Sequence, residues 1–181
     1  MGKTLMTSHR SKILITGSSG FLGSAIIQKM LANDFEVRGL YRTPRRNINQ
    51  EIQAITVCGS IHEWTKVIVN EKPSTLILCD WQGTSTDDRL LTRQDSNAIR
   101  WQKLAGVALN EGAGKIIAIG SQAELGTMQI DVDEETAFSP RTPYGHAKKD
   151  AFERLKDLVK TYDADLIWAR TFSVYGNQMS P

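Results

Sequence analysis

A glycine-rich segment near the start of the chain constrains its fold more than any other feature. Residues 16–23 read Thr-Gly-Ser-Ser-Gly-Phe-Leu-Gly, with Gly17, Gly20 and Gly23 at intervals of three. The apolar run 13–16 comes just before this segment, and a helical pattern over residues 21–31 follows it. Glycine permits a tight turn between a strand and a helix and lets backbone N–H groups approach a pyrophosphate, which the helix N-terminus also favours. The segment therefore predicts a strand–turn–helix unit that binds a dinucleotide, with a purely structural turn as the alternative.

Short apolar runs alternate with amphipathic stretches along the rest of the chain. We predict further strands over 36–41, 55–58, 75–79, 115–119 and 165–169, and helices over 62–69, 90–109 and 144–159. Strands that alternate with helices indicate a parallel sheet, and continuously apolar strands indicate that both of its faces are covered. We therefore predict an α/β protein with a Rossmann-like, doubly wound parallel sheet and helices on both faces. Residues 1–11 are interpreted as an N-terminal tail and 12–181 as a single NAD(P)-binding domain.

Composition and charge exclude several classes of protein. Lys+Arg 22 against Asp+Glu 20 gives a net charge of +2, which does not suggest a nucleic-acid partner. No apolar run approaches the ~18 residues of a membrane helix, and residues 1–12 lack the apolar core of a signal peptide. Cys58 and Cys79 lie in apolar stretches and are interpreted as reduced core residues of a cytoplasmic protein. The three histidines have no ligand spacing, so no metal site is predicted.

The residues after the second predicted strand bear on the choice of nicotinamide cofactor. NAD-binding folds usually place an acidic residue there, about 20 residues past the glycines, to bind the ribose 2′-hydroxyl. Here Tyr41 occupies that position, and Arg42, Arg45 and Arg46 follow. Guanidinium groups pair with a 2′-phosphate that a carboxylate would repel, so NADP is favoured over NAD. The alternative is a solvated basic loop.

A tyrosine and a lysine four residues apart form the candidate acid–base pair. Tyr144 and Lys148 share one face at the start of a predicted helix, near its apolar edge. Ser121 ends a predicted strand, and ligands of parallel sheets bind at the carboxyl ends of strands, so the three side chains can meet in one crevice. A phenol near a cation has a lowered pKa and can exchange a proton with a ketone or alcohol. An exposed tyrosine beside a solvated lysine is the alternative.

Four segments together resemble the extended short-chain dehydrogenase/reductase superfamily, and within it the NAD-dependent epimerase/dehydratase family, which acts on nucleotide sugars. They are residues 16–23, Gly-Ser-Gln-Ala-Glu-Leu-Gly at 120–126, Pro-Tyr-Gly-His-Ala-Lys at 143–148, and Arg-Thr-Phe-Ser-Val-Tyr-Gly at 170–176. They follow the family's order and approximate spacing. Family members continue well beyond this point, so the resemblance implies that the C-terminal substrate lobe is absent or truncated here.

The resemblance implies a role for each matching residue. Tyr144 would be the acid–base residue, Lys148 would lower its pKa and hold the nicotinamide ribose, and Ser121 would hydrogen-bond the carbonyl oxygen. Trp81 would form a wall of the nicotinamide or sugar pocket, with a core-edge aromatic as the alternative, and Asn97 is either a supporting residue or an ordinary exposed helix position. The implied cofactor contacts are Gly17, Ser19, Gly20, Phe21, Leu22, Gly23, Arg42, Ser60, Ile61, Trp81, Tyr144 and Lys148. Ser60 replaces the family's usual acid after the third strand.

Departures from the family pattern narrow the expected activity. Dehydratases usually carry Asp-Glu directly after the serine, where this chain has Gln122 and Ala123, and Glu124 comes one position late and should point elsewhere. We therefore expect an NAD(P)-dependent oxidoreductase that reduces a 4-keto group or epimerises a nucleotide sugar by hydride transfer. A truncated or non-catalytic dinucleotide-binding module is the alternative.

The resemblance also implies a homodimer. In related proteins the fourth and fifth helices form a bundle between subunits, and they correspond here to the patterns over 90–109 and 144–159. The alternative is that the apolar stripes of both helices face only their own sheet.

Overall fold

A six-stranded, fully parallel sheet forms the centre of the protein. The computed structural model describes residues 12–42, 56–91, 94–127 and 131–176. The strands are β1 (Ile13–Thr16), β2 (Val37–Tyr41), β3 (Thr56–Cys58), β4 (Thr75–Leu78), β5 (Lys115–Ser121) and β6 (Asp165–Thr171), in the order β3-β2-β1-β4-β5-β6. The predicted doubly wound sheet is confirmed.

The strand order places a crevice beside β1. Thr16, the last residue of β1, pairs with Leu40 of β2 on one side and with Leu78 of β4 on the other. The chain winds outward from β1 in both directions, so the connections on the two sides diverge at the carboxyl ends of these strands. In open α/β sheets, ligands bind at such a switch point.

Helices cover both faces of the sheet. They are α1 (Phe21–Leu31), α2 (Ile61–Glu71), α3 (Asp95–Asn110) and α4 (Pro143–Thr161). Alternate strand residues point to opposite faces, so β1 contributes Leu14 to a large core with α2, α3 and α4, and Ile13 and Ile15 to a smaller core with α1. Within the described ranges, no helix is long and apolar enough to cross a membrane.

Local sequence signals explain where two of the helices begin. At α2, Ser60 and Glu63 form a capping box, in which each side chain serves a backbone N–H at the helix start. At α4, the Thr142 hydroxyl accepts a hydrogen bond of 3.1 Å from the Gly145 N–H, and Pro143 occupies the first turn, where its missing N–H has no cost.

The largest difference from the sequence prediction lies before α3. The helix predicted over 90–109 begins at Asp95, and a short 3₁₀ turn, Asp88–Leu90, precedes it. The buried Gln94 amide donates hydrogen bonds to the carbonyl oxygens of Gly83 and Asp88, at 2.8 and 2.7 Å, and so holds this connection as a separate turn. Periodicity cannot reveal such a bond, because a side chain rather than the helix satisfies these carbonyls.

The last two strands are longer than predicted. β5 and β6 pair without interruption from Lys115 with Asp165 to Ser121 with Thr171. The pairing continues because neither strand has a residue that interrupts the ladder before these positions. As a result Ser121 is the final residue of β5, at the edge of the sheet where the crevice opens.

Candidate active site

The glycine turn presses its backbone against the end of β4. Gly17 has φ +68°, and a Cβ atom on it would lie 2.8 Å from the Asp80 nitrogen. A larger residue here would therefore be both strained and in collision. The helix that follows has no acidic residue in its first turn and no side-chain cap at Gly20, so its positive end faces the crevice.

A cleft of about 1020 Å³ runs along the carboxyl ends of the strands. The cofactor contacts and acid–base residues that the resemblance implies all line this cleft: Gly17, Ser19, Gly20, Phe21, Leu22, Gly23, Arg42, Ser60, Ile61, Trp81, Ser121, Tyr144 and Lys148. The structure thus brings together residues that are up to 131 positions apart in the sequence.

One end of the cleft lies beside β2 and β3. Tyr41 is buried at the end of β2, opposite Cys58 of β3, and the next residue, Arg42, is exposed and lines the cleft. Ser60 and Ile61 also line this end, and the Ser60 hydroxyl hydrogen-bonds the Glu63 carboxylate. Arg45 and Arg46, predicted to extend the basic group, lie outside the described residues.

Ser121 and Tyr144 meet at the other end. The Ser121 hydroxyl accepts a hydrogen bond from the Ala123 N–H at 3.2 Å and also interacts with the Tyr144 phenol. Tyr144 is 7% exposed, so the alternative of a surface tyrosine is wrong. Gly145 packs on the same turn, because a Cβ on it would collide with the Ala123 carbonyl oxygen. The start of α4 is therefore fixed against the segment that carries Ser121.

Burial sets the pKa of the Tyr144 phenol. Removal from water raises this pKa above its ordinary value, while the Ser121 hydroxyl and the Arg89 guanidinium oppose the rise. Arg89 lies over the Tyr144 ring, 5.0 Å from the ring centroid to the guanidinium carbon. The sequence assigned the role of nearby cation to Lys148 and gave no signal for Arg89, which sits in the short turn before α3.

Lys148 lies in a cage of aromatic rings. Its ammonium is 3.8 Å from the Trp81 ring centroid and 4.3 Å from that of Trp101, and it donates a hydrogen bond of 2.6 Å to the Ile119 carbonyl oxygen. The residue is 2% exposed, and burial lowers the pKa of Lys148 to about 7. The Tyr144 ring centroid is farther from this ammonium, at 5.8 Å.

Trp81 fits both interpretations made from the sequence. It lines the cleft and also packs edge-on against the buried Trp101, with ring centroids 4.8 Å apart. Its indole N–H donates a hydrogen bond of 2.7 Å to Gln94, which fixes the ring above Lys148. A wall residue held in this way keeps the shape of the cleft.

Sequence reasoning missed an ion pair beneath the cleft. The Arg100 guanidinium donates a hydrogen bond of 2.8 Å to the Asp80 carboxylate, and both side chains are close to nine-tenths buried. Asn97 is buried as well, not exposed, and its amide bonds both the N–H and the carbonyl of Gln82. No motif links these residues, since they lie 15 to 20 positions apart in the chain.

The buried ammonium generates a prediction about stability. The pKa of Lys148 is about 7 in the folded chain, against 10.5 for an exposed lysine. Between pH 7 and pH 10.5, the unfolded chain therefore holds a proton on this lysine that the folded chain has lost. The free energy of unfolding should therefore rise with pH across this window, by at most about 1.4 kcal/mol per pH unit. Lys148→Met removes this dependence, so its stability relative to the wild type should be greatest below pH 7 and should decline above it.

Urea unfolding of both proteins between pH 6 and pH 10 measures this effect. Lys149→Met is the matched control, because Lys149 pairs with Glu153 at the surface and should leave the pH dependence as it is. A Lys148→Met difference that stays constant over the range would contradict the buried, weakly basic lysine.

Comparison with known proteins identifies relatives with a similar sequence or fold. The chain is 25% identical over 173 residues to the UDP-glucose 4-epimerase of Vibrio cholerae, an alignment that covers 91% of this chain and 52% of that protein. The structure is similar to the UDP-glucose 4-epimerase of Thermotoga maritima, with TM-score 0.78 and 20% identity over 88% of this chain and 54% of that one. It is also similar to the UDP-glucuronic acid 4-epimerase of Bacillus cereus in complex with NAD, with TM-score 0.77 and 21% identity over 91% and 57% of the two chains.

The chain thus spans about half the length of these relatives. A family model matches residues 13–181, which is nearly all of the sequence. Within that match lie the glycine turn and the segments that carry Ser121, Tyr144 and Lys148. The chain therefore belongs to the NAD-dependent epimerase/dehydratase family.

Proposed function

We propose that this chain is the cofactor-binding and acid–base part of an NADP(H)-dependent oxidoreductase that reduces or epimerises a keto group on a nucleotide-linked sugar. The observation that carries the proposal is the meeting of Ser121, Tyr144 and Lys148 in the cleft that the glycine turn opens. A module that only bound the dinucleotide would have no need of a serine beside a buried tyrosine at the far end of that cleft.

The residues present fit a dinucleotide. The cleft is long enough to run from Arg42 at one end to Tyr144 at the other, and the bare N-terminus of α1 lies between them to receive a pyrophosphate. When bound, the nicotinamide supplies or accepts the hydride. Lys148 and Trp81 line the part of the cleft nearest Tyr144, where the nicotinamide ribose would be held.

The side chains divide the remaining chemistry among them. In the reducing direction, Tyr144 donates its phenolic proton to the oxygen of the carbonyl as that oxygen becomes an alcohol, and in the reverse direction it takes the proton back. The Ser121 hydroxyl hydrogen-bonds the same oxygen and orients it toward the phenol. Arg89, over the Tyr144 ring, stabilises the phenolate that remains after proton donation.

The preference for NADP rests on the end of β2. No acidic side chain from the described residues lines the cleft beside Tyr41, and Arg42 is exposed at that position. A guanidinium there would pair with the 2′-phosphate through charge-assisted hydrogen bonds. The Bacillus cereus relative was solved with NAD, so this preference would distinguish the present chain from that enzyme.

The choice of reaction rests on the residues after Ser121. Gln122 and Ala123 line the cleft where dehydratases carry acidic residues, while Glu124 is buried away from it. The one carboxylate among the cleft-lining residues of the described part is that of Asp80, and Arg100 already pairs with it. This supports reduction or epimerisation of the sugar over elimination of water. A nucleotide sugar as substrate is supported by the UDP-glucose in the Thermotoga maritima structure.

We expect Arg42→Ala to weaken NADPH binding selectively. A hydrogen bond to a charged group contributes about 1.5–3 kcal/mol, so the dissociation constant for NADPH should rise by about 10- to 100-fold while that for NADH stays nearly constant. Nicotinamide fluorescence titration measures both constants. Arg38→Ala is the control, because Arg38 lies on the same strand but pairs with Glu71 outside the cleft. Equal losses for the two cofactors would refute the phosphate contact.

Tyr144→Phe should abolish turnover while leaving cofactor affinity nearly intact. General acid–base catalysis contributes about 10²–10⁴-fold, and the proposed pyrophosphate contacts lie at the glycine turn and not at the phenol. The assay uses a panel of nucleotide-linked 4-keto sugars, with NADPH affinity measured in parallel. Tyr162→Phe is the matched control, because Tyr162 follows the far end of α4 and its hydroxyl bonds Asn110. If the full-length protein binds NADPH but turns over none of the panel, the non-catalytic binding module replaces the enzyme.

A homodimer through α3 and α4 is also part of the proposal. These helices pack against each other and bury most of their apolar residues within the chain, which favours the alternative of stripes that face only the sheet. Ile99 of α3, however, is 57% exposed on the outer surface and offers an apolar contact to a second copy. Sedimentation at micromolar protein should give a dimer mass that Ile99→Asp reduces to that of a monomer, and a monomeric wild type would refute the dimer.

A cytoplasmic location is likewise proposed, supported by the unpaired thiol of Cys79.

A further inference from the structure

Glu124 is a fully buried carboxylate directly behind the serine of the site. Its side chain is 0% exposed, and one oxygen accepts a hydrogen bond of 2.5 Å from the backbone N–H of Ser121. The other oxygen accepts a hydrogen bond of 2.9 Å from the Trp168 indole N–H. The Arg170 guanidinium lies 3.6 Å from this second oxygen and provides the opposite charge. Burial raises the pKa of Glu124, and these three groups together with the Lys148 ammonium oppose the rise.

The surroundings of Glu124 are built to receive both of its oxygens. A Cβ atom on Gly120 would lie 2.9 Å from the first carboxylate oxygen and would collide with the Trp168 indole nitrogen, so only glycine leaves room for their contact. Burying a charged group in this way is costly, and a pair of apolar residues would serve stability as well or better. A buried carboxylate at this position therefore indicates a requirement other than stability.

Glu124 connects three segments around the site. Arg170, beside Glu124, donates a hydrogen bond of 3.1 Å to the Asp133 carbonyl oxygen and lies over the Phe138 ring. The Glu124 backbone carbonyl accepts a further hydrogen bond, of 2.9 Å, from the Ser139 N–H. Residues 131–142 lead directly into α4, so Glu124 joins the end of β5, the strand β6 and the approach to α4.

We propose that Glu124 is a positioning residue, whose carboxylate fixes the backbone of Ser121 so that the serine hydroxyl meets the Tyr144 phenol. It does not line the cleft, and its hydrogen bond to the site is the one that it accepts from the Ser121 backbone. The inference deepens the proposed function and rests on it only where turnover is the readout. The contact between Ser121 and Tyr144 can be measured without any reaction.

The pKa of the Tyr144 phenol separates positioning from a simple charge effect. The Ser121 hydroxyl lowers this pKa, whereas the negative charge of Glu124 raises it. Loss of positioning should therefore raise the phenol pKa, and loss of a nearby charge should lower it. Arg89 and Lys148, whose side chains lie 5.0 and 5.8 Å from the Tyr144 ring centroid, stay in place in every variant below.

Glu124→Gln is the decisive variant. An amide has one accepting oxygen, so it can serve either the Ser121 N–H or the Trp168 N–H, and its NH₂ group then faces a second donor. We expect the phenol pKa to rise toward that of Ser121→Ala, measured by the ultraviolet absorbance of the phenolate with Tyr144→Phe subtracted. An unchanged or lowered pKa would overturn the proposal.

A double variant tests the same idea by rescue. Trp168→Phe removes the indole donor, so in Glu124→Gln/Trp168→Phe the amide oxygen can return to the Ser121 N–H without its NH₂ group meeting the indole N–H. The phenol pKa should then fall back to the wild-type value or below it, because the charge of Glu124 is also gone. A double variant that behaves like Glu124→Gln alone would count against positioning.

Two further measurements keep the test independent of folding and of the proposed activity. If Glu124→Gln fails to fold, Glu124→Asp is the substitute. It keeps the charge but withdraws it from Ser121 by one methylene, so it too should raise the phenol pKa. Where the wild type turns over substrate, kcat should fall by about 10- to 100-fold with KM and NADPH affinity nearly constant. A full-length wild type without turnover would overturn the proposed function, while the phenol titration would still decide the role of Glu124.

Discussion

The carboxylate of Asp80 holds together the elements on which the cleft depends. It accepts hydrogen bonds from the Thr16 hydroxyl at 2.5 Å and from Arg100 at 2.8 Å, while its backbone carbonyl accepts one of 2.6 Å from the Trp101 indole. The end of β1, the end of β4 and the helix α3 are thereby joined at one residue. Because the glycine turn packs directly on the Asp80 backbone, the position of the proposed pyrophosphate site follows from this junction.

Trp101 extends the same junction to the acid–base end of the cleft. Its ring lies beneath the Lys148 ammonium and packs edge-on against both Trp81 and Trp168. Trp168 in turn bonds Glu124, which bonds the backbone of Ser121. A continuous set of aromatic and charged contacts therefore runs under the cleft from the glycine turn to the serine. Such buried polar networks define one arrangement of side chains, because a partly satisfied network is strongly disfavoured.

Three buried charged groups lie along this path, and each has a different physical role. Asp80 is paired with Arg100 and shapes the floor, Glu124 is placed to fix a backbone N–H, and Lys148 is held among rings in a buried site that lowers its affinity for a proton. None of them is a favourable choice for stability alone, because the cost of removing a charge from water offsets most of the favourable interaction energy with its partners. Their concentration beneath one cleft is typical of a functional site, where stability is exchanged for a defined geometry.

Short-range signals in the amino-acid sequence were sufficient to predict the sheet, the glycine turn and the meeting of Ser121, Tyr144 and Lys148 in one cleft. These signals are apolar runs, glycine spacing, and two side chains one helical turn apart. The strand ends and the start of α3 were less well predicted. At α3 the boundary is set by the Gln94 amide, which hydrogen-bonds the carbonyl oxygen of Gly83, 11 residues earlier in the chain. Periodicity carries no information about such bonds.

The partners of the site residues, in contrast, depend on tertiary packing. The ion pair of Asp80 with Arg100, the place of Arg89 over the Tyr144 ring and the burial of Glu124 behind Ser121 all join segments that approach each other after the sheet has assembled. Glu124 was expected to point away from the cleft, and it does, but nothing in the sequence indicated what it would meet. The physical reason is that the effect of a buried charge or indole N–H depends on the group it is buried against, and that neighbour is fixed by the packing of the whole chain.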